Sequence, residues 1–204
     1  MTTPALRAVA VICTLSPSPA PSSSQLMAEQ LLKELGEHEV SGEQIRLVDH
    51  DIKPGVEDDM GAGDAWPDIR RKILAADILL MATPTWLGHM SSVAQRALER
   101  LDAELSNTDD EGRPLTYGKV AVVAVVGNED GAHKITADLY QALNDVGFTV
   151  PAQGGVYWND QAMGSTDYKD LDEIPEAVAS QQKTVAANAA HLATALREQP
   201  YPPA

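Results

Sequence analysis

Short apolar runs alternate with longer amphipathic stretches along this chain. Residues 8–13, 45–48, 78–82, 120–126 and 155–158 are apolar runs without strict polar alternation. Runs of that length and continuity predict strands covered on both faces. Between them, residues 25–35, 66–74, 93–105, 135–146 and 174–196 carry apolar positions at helical spacing. Met27, Leu31, Leu32 and Leu35 share one face of the first. Val93, Ala97, Leu98, Leu101 and Leu105 share one face of the third, with charges opposite. Pro67 suits a first helical turn, and Gly147 stands where a left-handed residue closes a helix. The acidic, Gly-bearing segment 49–64 reads as an exposed connection with little structure.

Strands and helices in alternation, joined by right-handed crossovers, give an α/β three-layer sandwich. Five parallel strands favour the order 2-1-3-4-5, with the topological switch between strands 1 and 3. Ligands of such sheets lie beyond the carboxyl ends of the strands near the switch. Three loops therefore matter, those after strands 1, 3 and 4.

The loop after strand 1 is rich in Ser and Pro, and no charged residue occurs between Arg7 and Glu29. Hydroxyls and amide N–H groups converging on a helix start can hold a phosphate; an ordinary capped turn has the same composition. The loop after strand 3 reads Thr83-Pro84-Thr85-Trp86-Leu87-Gly88-His89-Met90-Ser91. It has hydroxyls, one large aromatic and no carboxylate, which suits a flat ligand, although a plain turn with Ser91 or Ser92 as cap and Trp86 in the core is the alternative. After strand 4 comes Gly127-Asn128-Glu129-Asp130-Gly131-Ala132-His133, whose glycines admit a close backbone approach and whose Asn128 offers a donor and an acceptor.

Together the loops place a phosphate cradle, an aromatic wall and an amide edge around one crevice. Clustered acids after strand 1, as a phosphoacceptor domain needs, are missing. So are G-x-G-x-x-G, the P-loop motif and G-x-S-x-G. A net charge of −15, from 30 acidic and 15 basic residues, argues against nucleic acid or an anionic membrane as partner. One cysteine excludes an intrachain disulfide and fits a cytoplasmic protein. Cys13, inside an apolar run, reads as a core residue. With 204 residues the chain is expected to form one domain over 1–198 with a loose Pro-rich tail at 199–204, and no targeting segment is expected before strand 1.

Flavin mononucleotide (FMN), with one phosphate and a planar ring, fits what remains. The residues resemble the NAD(P)H-dependent FMN reductase and quinone oxidoreductase branch of the flavodoxin-like superfamily. The matching stretches are Leu15-Ser16-Pro17-Ser18 through Ser22-Ser23, then Pro84 to Ser91, then Gly127 to His133 followed by Ala142 to Phe148 and Tyr157-Trp158. Ser18 replaces an Arg common in that family, and Leu15 replaces a Gly, so weaker phosphate neutralisation is expected.

The resemblance implies a flavodoxin-like fold with FMN as cofactor and NADPH or NADH as reductant. By analogy Ser16, Ser18, Ser22 and Ser23 hold the phosphate; Pro84, Thr85, Trp86, Leu87 and Gly88 line the ring and ribityl chain; Asn128, Glu129, Gly131 and His133 approach the ring edge. No side chain need act as acid or base, and His89 and His133 read as hydrogen-bonding or surface residues. The implied partner is a small electron acceptor such as a quinone, and the implied assembly a homodimer or homotetramer. An electron carrier without its own substrate, whose acidity would suit basic redox partners, and a non-catalytic flavin-binding regulator remain open at this point.

Overall fold

The computed structural model describes residues 5–202; residues 1–4, and Pro203 and Ala204 of the Pro-rich tail, lie outside the described residues. Its strands are β1 (Leu6–Ile12), β2 (Val40–Arg46), β3 (Ile78–Trp86), β4 (His89–Met90), β5 (Val120–Val126) and β6 (Gly155–Trp158). Five of them form a parallel sheet in the order β2-β1-β3-β5-β6, and the stub β4 folds back antiparallel on β3. Leaving the stub aside, this is the expected 2-1-3-4-5 order of a flavodoxin-like fold.

Helices α1 (Ser23–Gly36) and α5 (Glu176–Glu198) cover one face, and α2 (Trp66–Ala75), α3 (Ser92–Leu101) and α4 (Ala132–Asp145) the other. The period of two along each strand explains the continuous apolar runs. In β5, Val120, Val122, Ala124 and Val126 join the core under α1 and α5, while Ala121, Val123 and Val125 join the opposite core. Burial of each larger side chain contributes about 1.5–3 kcal/mol. Neither layer could be stripped from the sheet without exposing every second strand residue.

Three expectations need correction. The second strand is Val40–Arg46, with Leu47–Asp49 a 3-10 turn, so the expected run 45–48 was placed late. As a sheet edge paired only with β1, it buries only Val40 and Ile45, and apolar runs are a poor guide to such strands. Strand β3 runs on through the Thr-Pro-Thr segment to Trp86. Pairing with β1 ends at Ala82, so Pro84, which lacks an N–H, faces no partner strand on that side.

The third helix ends at Leu101 and tightens into a 3-10 turn over Asp102–Leu105. Leu105 is 56% exposed, whereas Arg100 and Glu104 are fully buried, the reverse of the amphipathic reading there. Arg100 pairs with buried Asp64 at 2.8 Å and donates to the carbonyls of Lys53 and Glu57 at 2.8–3.0 Å. The segment 49–64 is thereby pinned from inside by one guanidinium, with Trp66 beneath it at 5.6 Å. Toward the other terminus, Tyr201 packs its ring 5.3 Å from that of Tyr117 and its hydroxyl lies 3.0 Å from Thr149 Oγ1.

Candidate functional site

At the carboxyl edge of the sheet, β1, β3 and β5 each end in one of the three loops. Ser22 caps α1, accepting from the Gln25 N–H, so the first-turn amides, which have no intrahelical acceptors, open on this edge. Ser91 caps α3 and also donates to the Cys13 carbonyl at 2.6 Å, clamping the loop after β3 to the end of β1. Cys13 itself is buried, and burial pushes its thiol well above the usual range.

These elements enclose a crevice of ≈ 230 Å³. Ser16, Ser22 and Ser23 line it from the first loop, Pro84, Thr85 and Trp86 from β3, and Asn128 and Glu129 from the loop after β5. Buried Thr85 has a hydroxyl with no hydrogen-bond partner among the described residues. Gly127 makes room for it, since a Cβ there would stand 2.9 Å from Thr85 Cβ. Trp86 is 54% exposed at the rim, so the reading that packs it in the core does not hold.

Five expected residues stand outside the lining. The Asp49 carboxylate accepts from both the Ser18 hydroxyl, at 2.6 Å, and the Ser18 N–H, at 2.8 Å. Those bonds, the hydroxyl's first, hold the Asp49 carboxyl below the usual carboxylate range. Leu87 and Gly88 form the two-residue turn between β3 and β4, with φ of 52° and 73°. That geometry is the one matched to hairpin twist, and it normally selects Asn or Gly at the position Leu87 occupies. The Glu129 carboxylate secures the turn by accepting the Leu87 N–H at 3.0 Å. Gly131 packs against Gly88, where a Cβ would come within 2.7 Å of the Gly88 Cα. His133 lies exposed at the start of α4, its ring 4.9 Å from that of Tyr157. These residues shape or flank the crevice from behind it.

Two features were not foreseen from the sequence. Arg46, at the end of β2, donates to the Ser16 carbonyl from two nitrogens (2.9 and 2.5 Å), to the Ala20 carbonyl (2.8 Å) and to Gln25 Oε1 (3.0 Å). The first loop is thus shaped by a cation 30 residues downstream of Ser16. The second is a wall made by Asp167, Tyr168 and Lys169. The Lys169 N–H donates to Ser23 Oγ (3.2 Å), Asn128 Nδ2 to Asp167 Oδ1 (3.1 Å), and the Tyr168 hydroxyl to Gln30 Oε1 (2.6 Å). Burial raises the Tyr168 hydroxyl above its usual range, and Asp167, then Asp170, hold the Lys169 ammonium above its own. A signal was present, for Lys169 is the sole Lys or Arg between Lys134 and Lys183.

Residues 7–162 match the family model for NADPH-dependent FMN reductases. The chain belongs to that family. An FMN reductase-family chain is a flavoenzyme, an oxidoreductase with FMN as cofactor and NAD(P)H as reductant. The residues present fit FMN: capped α1 amides and hydroxyls for a phosphate, an unpaired buried hydroxyl at Thr85, a missing Cβ at Gly127 and an aromatic rim.

The 8-demethyl-8-aminoriboflavin-5′-phosphate synthase of Streptomyces davaonensis is 33% identical over 210 residues, spanning 97% of this chain and 80% of that protein. A divalent metal cation transporter, MntH, of Mycobacterium bovis is 36% identical over 169 residues; the match takes in 81% of this chain but spans a quarter (25%) of the transporter's length. RosB, solved with bound 8-demethyl-8-formylriboflavin-5′-phosphate, superposes with a TM-score of 0.86 at 30% identity, covering 97% of this chain and 82% of RosB. A flavone reductase at TM-score 0.68 and 15% identity, covering 96% of this chain and 66% of its own, shares the fold. Among the described residues, no helix is long and apolar enough to cross a membrane.

Proposed function

We propose that the protein passes electrons from NAD(P)H through bound FMN to a small acceptor such as a quinone. The observation that carries this reading is the convergence of three loops on one crevice that pairs a helix N-terminus with a half-exposed aromatic rim. Ser16, Ser22, Ser23 and the first-turn amides of α1 hold the phosphate. Pro84, Thr85 and Trp86 flank the ring, and Asn128 and Glu129 meet its polar edge. Bound FMN supplies the hydride-accepting and hydride-donating chemistry, while these residues position the ring and exclude water from one face. No acid or base within the crevice is needed. Ser18, Leu87, Gly88, Gly131 and His133 act on the shape of the site from outside it.

The same reading includes a homodimer or homotetramer in the cytoplasm. Exposed Trp86 and Leu87 beside the crevice are apolar surface that a second copy could cover, and the one cysteine is unpaired and buried. Purified protein titrated with FMN should quench flavin fluorescence at one equivalent and then oxidise NAD(P)H continuously with a quinone. No flavin binding overturns the reading, and binding without turnover leaves an electron carrier.

A second reading is favoured by the similarity to RosB and to the aminoriboflavin phosphate synthase. In it a riboflavin phosphate is the substrate, altered on its ring. Mass spectrometry of the flavin recovered after incubation separates the two, because an unchanged FMN mass excludes ring alteration.

A further inference from the structure

The wall of Asp167, Tyr168 and Lys169 lies beyond residue 162, where the family match ends. It nevertheless touches the phosphate side of the crevice, since the Lys169 N–H is bonded to Ser23 Oγ at the start of α1. A phosphate monoester carries close to two negative charges at neutral pH, and this chain carries a net charge of −15. The α1 amides and hydroxyls answer part of that charge, and a cation beside them would favour the phosphorylated flavin further. Arg46 is engaged with two carbonyls and Gln25, and it lies outside the crevice lining. Lys169 lines the crevice itself.

The geometry points to Lys169 as the residue that makes the crevice prefer FMN to riboflavin, its ammonium donating to the phosphate while its N–H holds Ser23 in place. This rests on the FMN-binding reading above. An ammonium has three N–H donors, and Lys169 uses two, on Asp167 Oδ2 at 2.6 Å and Asp170 Oδ2 at 2.8 Å. Among the described residues nothing takes the third, which is left for a ligand. Asp167 also accepts from Asn128 through its other oxygen, so its charge is directed at two donors. The Asp170 side chain is 60% exposed, so solvent screens its hold on the ammonium. The buried hydroxyl of Thr85, a residue only 4% exposed, lies in the same crevice without a partner among the described residues and independently marks it as built for a ligand.

The test is a fluorescence titration of wild type, Lys169→Met, Lys169→Arg and Asp170→Asn with FMN and, separately, with riboflavin. Lys169→Met should weaken FMN about tenfold, the low end for a charge-assisted bond that is partly screened, and change riboflavin by less than about twofold. Arg should restore most of the loss. Asp170→Asn should tighten FMN by about two- to threefold by removing a competitor for the ammonium. Added salt should weaken FMN, but not riboflavin, in wild type. Equal losses for both flavins in Lys169→Met would mean that the residue only packs the wall, and that overturns the proposal. Should Lys169→Met fail to fold, FMN affinity indifferent to both salt and Asp170→Asn overturns it equally. Wild type that binds neither flavin sinks the FMN reading itself, a separate outcome.

Discussion

Replacing Thr85 by Val separates what the crevice needs to fold from what it needs to bind. Thr85 is 4% exposed, and its hydroxyl has no partner among the described residues. A buried polar group left unpaired costs about 1–3 kcal/mol. Val puts a methyl where that hydroxyl stands. The neighbouring backbone can take it only because Gly127 has no side chain; an added Cβ there would clash with Thr85 Cβ at 2.9 Å and crowd its Oγ1 at 3.2 Å. The flavin-free variant should therefore gain about 1 kcal/mol, the low end of that range, which for a chain of this size raises Tm by about 2–4 °C. FMN binding should weaken, since one neutral hydrogen bond is worth about 0.5–1.5 kcal/mol, or roughly two- to tenfold in Kd. Thermal melts with and without FMN, beside a fluorescence titration, measure both. A lower flavin-free melting point with unchanged FMN affinity would refute the reasoning, because the hydroxyl would then serve the fold alone.

Trp86→Ala should weaken FMN while leaving stability within about 0.5 kcal/mol, whereas fully buried Trp66→Ala should cost about 3–5 kcal/mol in urea unfolding. Ser18→Ala should leave FMN affinity within about twofold because its hydroxyl is held by Asp49, while Ser16→Ala with Ser23→Ala should cost about 1–3 kcal/mol by titration. A loss in the single variant as large as in the double would put Ser18 at the phosphate. Arg100→Met should destabilise by about 3–5 kcal/mol, leaving Asp64 buried without its cation. Burial raises the Asp64 carboxyl, but Arg100 and the amides of Met60, Trp66 and Lys53 outweigh it and hold it far below the carboxylate range. That depressed group stabilises the fold above its unfolded pKa of about 3.9, and the stability is lost as pH falls from there. Urea midpoints taken across pH 2–6 should show this acid loss shrink in Arg100→Met, because without the guanidinium, burial brings the Asp64 carboxyl back toward or above its unfolded value.

What the sequence reveals and what it conceals differ by the range of the interactions involved. β5 was legible to the residue because a strand buried along its whole length announces itself in its own side chains, and β6, though at the far edge, because three of its four residues are the apolar Val156, Tyr157 and Trp158. β2 was not, since an edge strand owes its place to the backbone of β1 and needs few apolar residues of its own. Among the residues that line the crevice, Ser16, Ser22, Ser23, Pro84, Thr85, Trp86, Asn128 and Glu129 were readable because each lies at the carboxyl end of a core strand or in the connection that follows it. Arg46 and Lys169 were hidden by distance. Their partners lie 30 and 146 residues away, and no local spacing can encode such a pairing. The same argument explains why a motif can travel further than a specificity. Loops that follow strands keep their role wherever the sheet is kept, so the family match covers them. The wall at 167–169 depends on how the chain returns between β6 and α5, outside that match. Related chains can therefore share the cradle and the rim while differing in the cation that faces them, and the residue standing at the place of Lys169 is where their preferences among flavins should diverge.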